Sequence, residues 1–195
     1  SRMLKRLFDI MVSLAFLCTL FPFCYIMIGT AIKVTSSGPV LFKQKRHGRD
    51  GKIFTLLKFR TMRPNDGADT VQATSLDKRL TSIGDFLRKT SLDELPQFIN
   101  VLKGDMSVVG PRPHMLYHTE MYSPLIPGYM KRLSVRPGIT GVAQILGYRG
   151  ETPAVTDMAR RVRLDLWYIS HRTFRLDLYV FVRTLLAFLS LKNNL

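Results

Sequence analysis

The chain has 195 residues, 46% of them hydrophobic, and 29 Lys and Arg against 14 Asp and Glu give it a formal charge of +15. That length suits one domain with a real core, and the basic excess calls for an anionic partner. A nucleic-acid binder would share the excess but not the long apolar run beside it, so an anionic membrane surface is the first expectation and nucleic acid is not a partner.

Arg2, Lys5 and Arg6 lead into Ile10–Ile32, a run without a single charge. As a straight helix it would be roughly 35 Å long, against a bilayer core of about 30 Å. Cys18 and Cys24, the only cysteines, both lie inside it, which leaves no disulfide framework and no zinc spacing. Three readings compete: a spanning helix, a cleaved signal peptide and a re-entrant hairpin. The run is long for a signal peptide and lacks a small-residue cleavage site. Lys33, Lys43, Lys45, Arg46 and Arg49 follow the run, so both flanks are basic and the positive-inside bias accepts both ends on the cytoplasmic side. Pro22 sits mid-run, where a proline costs about 3 kcal/mol. The carbonyl it frees needs a local donor, and Thr19 or Ser13 offers a hydroxyl. Re-entry broken at Pro22 is favoured, with a proline-kinked span as the alternative.

Residues 34–39 end in the turn Ser37-Gly38-Pro39, and Val40–Lys43 and Ile53–Arg60 read as strands joined at Arg49-Asp50-Gly51. The two-residue period puts Lys58 and Arg60 on one face, as either a solvated edge or phosphate contacts. Arg63-Pro64-Asn65-Asp66-Gly67 reads as a turn opening a polar loop to Ser75. A short helix capped by Thr81 or Ser82 then runs to Lys89 on the stripe Leu80, Ile83 and Leu87, leaving Arg88 beside the next segment.

That segment, Thr90-Ser91-Leu92-Asp93-Glu94-Leu95-Pro96-Gln97, sets two carboxylates side by side in a strongly basic chain. Ser91 and Glu94 have capping-box spacing. The pair also suits a metal and a nucleophilic carboxylate acting on a phosphate-bearing substrate, and a helix N-terminus would favour its ionised form. Pro96 requires either a bend or a later helix start. Phe98, Ile99, Val101 and Leu102 continue a helix that stops at Gly104, and Asp105–Arg112 forms a tight connection. Pro111 and Pro113 restrict the backbone of Arg112, which makes its guanidinium a fixed two-pronged donor for a diphosphate. His114 and His118 could share a helix face, but Met115 stands where a zinc-peptidase pattern needs glutamate, so no metal role is assigned.

No acid lies between Glu120 and Glu151, and Tyr117–Leu133 reads as a basic, partly aromatic surface facing headgroups or a nucleotide. Arg136-Pro137-Gly138-Ile139-Thr140-Gly141 reads as a glycine-bounded turn. Val155, Met158, Val162, Leu166 and Ile169 mark a helix alternating with Arg160, Arg161 and Arg163. Leu176–Leu191 is apolar but contains Asp177 and Arg183, and suits an interfacial or core helix rather than a span.

Several long segments together resemble the bacterial sugar transferases, the monotopic phosphoglycosyl transferases that start glycan assembly on polyprenyl phosphate. They are Phe42-Lys43-Gln44-Lys45-Arg46-His47-Gly48, Lys58-Phe59-Arg60-Thr61-Met62 and Leu87 through Gln97. Asn100 through Pro113 and Arg136 through Gln144 complete the set. The resemblance implies an α+β, mostly α-helical fold: a re-entrant membrane helix over 1–33, then a catalytic domain over 34–195 with a small β-hairpin and interfacial amphipathic helices. Family members often carry Ser-Pro at the turn, whereas Phe21 precedes Pro22 here. The resemblance further implies Asp93 as nucleophile, Glu94 as its partner and magnesium (Mg2+) held by both. The substrate- and phosphate-binding cations are then Arg112, Arg88, Lys58 and Arg60. The donor would be a UDP-sugar and the acceptor undecaprenyl phosphate in the cytoplasmic membrane of a bacterium, with membrane lipid a further partner and an oligomer allowed. Arg149-Gly150-Glu151-Thr152 and the stretch from Asp165 to Asp177 look like exopolysaccharide- and capsule-initiating members, which favours glucose or galactose and leaves an N-acetylated hexose open. Larger members carry extra N-terminal transmembrane helices, so a longer protein around this catalytic part is expected. The rival class, a non-enzymatic basic adaptor on anionic lipid or nucleic acid, gives no reason for the Asp-Glu pair.

Overall fold

A computed structural model describes residues 2–64, 67, 74 and 77–190; much of the expected 63–75 loop and the end of the last apolar segment at Leu191 lie outside them. The chain is mostly helical. Helices α1 (Arg2–Thr19) and α2 (Phe21–Thr35) precede a hairpin of β1 (Leu41–His47) and β2 (Ile53–Phe59). Then come α3 (Ser82–Thr90), α4 (Gln97–Lys103), β3 (Ser107–Val109), α5 (Leu116–Tyr122), β4 (Gly138–Thr140), α6 (Val142–Ile145), α7 (Val155–His171) and α8 (Phe174–Ser190).

Helix α1 is inverted in its polarity. Its outer face exposes Met3, Leu7, Met11 and Leu14, while Asp9 and Ser13 are buried against the body. Asp9 accepts from the Ser107 hydroxyl at 3.0 Å and the Val108 amide at 2.9 Å. Arg6 donates to the carbonyls of Val101 and Leu102 at 2.6 and 2.9 Å, at the end of α4 where helical donors run out. Lys5 bridges to Asp177 of α8 at 2.7 Å, and Tyr168 donates to the same carboxylate at 2.6 Å. A charge inside the apolar α8 segment is thereby explained, and that helix otherwise exposes Leu178, Tyr179, Val182, Leu185, Leu186 and Leu189.

The axis bends by 59° between α1 and α2, and no single described helix is long and apolar enough to cross a membrane. The break falls at Leu20 rather than at Pro22 itself. Pro22 occupies the first turn of α2, where its missing N–H removes no intrahelical bond. Neither candidate hydroxyl serves a carbonyl freed by the break: Thr19 donates to Ala15, and the buried Ser13 hydroxyl has no partner.

Strands β1 and β2 pair antiparallel from Leu41–Phe59 to His47–Ile53, so the first strand runs four residues further at its polar end than Lys43 suggested. Gln44 is buried there and Arg46 donates to the Pro113 carbonyl at 3.2 Å, giving polar strand residues internal partners. The β3–β4 pair is a second, parallel sheet that the sequence did not signal. Met106, Val108 and Val109 carry the main core around it with Val101, Leu56, Tyr168 and Val180. Tyr122, Ile126 and Tyr129 form a second core with Met158 and Val162, so much of the Tyr117–Leu133 stretch is interior rather than surface. Arg132 is buried in an ion pair with Asp165 at 2.7 Å, which is how a basic residue enters that interior.

The parallel pair closes so tightly that a Cβ on Gly138 would stand 2.1 Å from the Gly110 amide nitrogen. Backbone cannot yield as a flexible side chain would. Gly138→Ala should therefore cost at least about 1–3 kcal/mol in chemical denaturation. A midpoint equal to wild type would mean that the two strands are not held this closely.

Candidate functional site

Helix α3 begins at Thr81, whose hydroxyl accepts from the Gly84 amide at 3.0 Å, and ends at Ser91 in the left-handed conformation (φ 65°). The expected capping box is absent, because Ser91 closes the preceding helix and its side chain caps no following amide. Its hydroxyl instead accepts a short hydrogen bond from Arg149. Leu92–Glu94 form one 3-10 turn and Pro96 precedes the first residue of α4, so the regular helix does start later. A non-glycine residue at positive φ costs of order 1–3 kcal/mol, which the packed surroundings must offset.

That reversal buries both carboxylates, Asp93 at 6% and Glu94 at 5% exposure. Lys58 Nζ, on β2, lies 3.0 Å from Glu94 Oε1 and 3.4 Å from Asp93 Oδ2. Arg112 Nη2 lies 2.8 Å from the same Glu94 oxygen and its Nη1 3.5 Å from Oε2. Arg149 Nη2, in the loop after α6, is also 3.5 Å from Oε2. Three cations therefore face two carboxylates, leaving one net positive charge.

The carboxylates are not equivalent. Burial pushes the Asp93 carboxyl up; Lys58 opposes the rise and neighbouring Glu94 reinforces it. Burial acts on Glu94 the same way, but Arg112, Lys58 and Arg149 together overcome it and hold Glu94 well below the usual carboxylate range. Glu94 is a fixed anion bound by three cations, whereas Asp93 keeps one loose contact.

Arg112 is held from behind. Its carbonyl accepts from Arg132 Nη2 at 2.6 Å, and Arg132 is anchored on Asp165. Of the other expected cations, Arg60 does not reach the carboxylates. Its guanidinium donates to the Pro39 carbonyl at 2.6 Å and to Ser36, clamping the chain after α2. Arg88 is half-buried on α3 and its guanidinium forms no hydrogen bond or ion pair among the described residues, the left-handed Ser91 separating its helix from the carboxylate turn. Arg149 takes the place expected of them; the sequence marked it by an acid-poor stretch and by the resemblance of Arg149-Gly150-Glu151-Thr152 to exopolysaccharide-initiating members, and neither pointed to the carboxylates.

His114 precedes α5, so the two histidines do not share one helix face. Burial and nearby Arg132 hold His114 well below its usual value; burial and Arg46 lower His118 to about 4. No group of three or more His, Cys, Asp or Glu that could hold a metal occurs among the described residues. Two carboxylates nevertheless fit a magnesium ion that takes its remaining ligands from substrate phosphates and water. Asp93 is the better donor, since Glu94 would first have to release a cation.

The fold and site define a mostly helical protein with a buried carboxylate pair among arginines whose geometry suits phosphate, and the sequence places it further. Residues 1–191 match the family described as bacterial sugar transferase, and the chain belongs to that family. It is 53% identical over 181 residues to a UDP-glucose:undecaprenyl-phosphate glucose-1-phosphate transferase of Klebsiella pneumoniae, covering 92% of this chain and 39% of the relative. A relative of the same description in Escherichia coli K12 is 50% identical with the same coverage. An exopolysaccharide production protein, PSS, of Rhizobium leguminosarum is 42% identical, covering 94% of each chain. The chain thus spans 39% of the length of the first two relatives.

The unequal carboxylates have opposite linkage to pH. Glu94, with its lowered value, contributes stability above its unfolded value near 4.5, and loses it as pH falls through the folded value. Asp93, with its raised value, costs stability once pH exceeds its ordinary 3.8. At pH 7, Glu94→Gln should therefore destabilise by up to about 3 kcal/mol, leaving buried cations unmatched. Asp93→Asn should be neutral or stabilising. Urea denaturation of both variants between pH 4 and 8 checks this, and equal losses would remove the distinction.

Proposed function

We propose that this chain transfers a sugar 1-phosphate from a UDP-sugar to a polyprenyl phosphate, with Asp93 as nucleophile. The observation that carries the reading is the asymmetry of the pair: Glu94 is saturated by Arg112, Lys58 and Arg149, and Asp93 is buried beside them with its carboxylate largely uncommitted. Desolvation raises the basicity of Asp93, and with it the nucleophilicity of the ionised form. The Asp93 carboxylate attacks the sugar-linked phosphorus, the bond to the uridylyl oxygen breaks, and UMP leaves. An oxygen of the lipid phosphate then attacks that phosphorus, the acyl–phosphate bond breaks, and Asp93 is released with a polyprenyl diphosphate sugar as product. Arg112 and Arg149 draw the diphosphate in, and Lys58 offsets charge on the attacking carboxylate. Magnesium held by Asp93 with substrate phosphate would add Lewis-acid polarisation at phosphorus. The names of the relatives make UDP-glucose the first donor to assay, and undecaprenyl phosphate the first acceptor.

The membrane element is part of the proposal. Apolar outer faces on α1 and α2, polar anchoring of α1 inward and the bend at Leu20 support a hairpin that enters and leaves from the cytoplasmic face. A lipid phosphate at the interface then meets a nucleotide sugar arriving from the cytosol.

Enzyme mixed with UDP-glucose and magnesium but no lipid should release about one equivalent of UMP and carry a hexose-phosphate adduct on Asp93 by mass spectrometry. Asp93→Asn should lose adduct and turnover, the latter by on the order of 10⁴-fold or more. UMP appearing only with polyprenyl phosphate, and no adduct, would point to direct attack by the lipid.

Topology has a separate readout. Single cysteines at Arg2 and Ser37, in a variant lacking Cys18 and Cys24, should both resist an impermeant thiol reagent in intact cells. Labelling of one flank alone would establish a span.

A further inference from the structure

The described surface holds a basic cavity, of about 120 Å³, that shares no residue with the carboxylate site. Its cationic wall is Arg2, Lys5, Arg6, Arg49, Arg136 and Arg172, and Asp9 is the one carboxylate there. The volume is well above the roughly 10–15 Å³ needed to admit a single water.

These cations divide by what they already do. Lys5 spends its donors on the Val109 carbonyl, Tyr168 and Asp177. Arg6 caps α4, and Arg136 uses Nε on the Gly104 carbonyl at 2.8 Å, leaving its terminal nitrogens. Asp9 is likewise occupied by Ser107 and Val108. Arg2 and Arg172, both exposed, form no hydrogen bond or ion pair among the described residues. Arg49 is paired with Asp50 at 3.1 Å, so the unused guanidinium nitrogens facing the cavity, whose single lining acid is spent, are those of Arg2, Arg172 and Arg136. Like charges held together by the fold repel, and an anion between them relieves that repulsion.

We propose that this cavity binds a phosphate group, at a site separate from the reaction centre. Forked guanidinium donors match tetrahedral phosphate oxygens. A phospholipid headgroup and free phosphate offer this same chemistry, and the helix that supplies Arg2, Lys5 and Arg6 to the cavity exposes Met3 and Leu7 on its opposite, apolar face. The inference rests on the cavity and not on the transfer reaction.

The test uses the full chain in nanodiscs of phosphatidylcholine with phosphatidylglycerol, and separately in detergent with inorganic phosphate. The cavity variant is Arg2→Gln with Arg172→Gln. A charge-matched control is Lys131→Gln with Arg160→Gln, both exposed and neither lining the cavity nor paired with the carboxylates. Native mass spectrometry should find phosphatidylglycerol retained by wild type and control, and at least tenfold less on the cavity variant. Displacement of that lipid by inorganic phosphate identifies the headgroup as the bound part. Phosphate binding weakened tenfold in the cavity variant alone, with no lipid retained, assigns the site to a soluble phosphate. Equal loss in the control variant, or retention of neither ligand by wild type, overturns the proposal. UMP release in detergent should stay near wild type in both variants, so a failure here is distinct from a failure of the catalytic reading.

Discussion

Consecutive carboxylates buried away from water repel one another, and each has lost the hydration that made its charge cheap. Asp93 and Glu94 can be interior only because Lys58, Arg112 and Arg149 converge on them from β2, the Pro-Arg-Pro loop and the loop after α6. Each cation is remote in sequence, so the pair can form only after the hairpin, the parallel strands and the last loop are in place. The convergence is uneven, and the unevenness is chemically useful. Glu94 takes up nearly all the positive charge and so leaves its neighbour comparatively free.

The cations are themselves held. Arg112 stands between two prolines, its carbonyl accepts from Arg132, and Arg46 donates to the Pro113 carbonyl. Asp165 neutralises Arg132 deep in the interior. A buried pair of this kind is weak evidence for stability, because desolvation offsets much of the attraction. Its consequence here is orientation. A guanidinium fixed at both its backbone and its fork meets a diphosphate without first losing side-chain freedom.

Contiguous chemistry was legible in the sequence and tertiary chemistry was not. Asp93, Glu94 and Arg112 stand out because unusual residues adjoin prolines or one another, and Lys58 because it lies on a recognisable strand. Arg60 was grouped with Lys58 by the two-residue period, but β2 ends at Phe59 and Arg60 turns to clamp Ser36 and Pro39. Arg88 and Arg149 show the same limit from opposite sides. Nearness along the chain suggested Arg88, yet a left-handed residue intervenes, whereas a loop distant in sequence brings Arg149 in. The β3–β4 pair escaped notice because three residues are too few to show alternation. Tyr117–Leu133 looked like surface because Arg132 has its acid on another helix. The hairpin, α3, α4, α7 and the interruption near Pro22 were legible because periodicity, caps and glycine stops mark them locally.

Helix α4 joins the carboxylate pair to α1. Its first turn follows the carboxylate pair, and its last carbonyls accept from Arg6 of α1. Seven helical residues span about 10 Å, so the distance from Arg6 to the carboxylates is set by one short, rigid rod. Asp9 fixes α1 a second time, to β3, from which the chain continues directly to Arg112. With the outer face of α1 in lipid, as proposed, the depth of that helix determines the height of Asp93 and Arg112 above the membrane. The inward-facing charges of α1 are therefore more than tolerated polar residues in an anchor. On that proposal they transmit the position of the interface to the place where the proposed lipid phosphate would arrive.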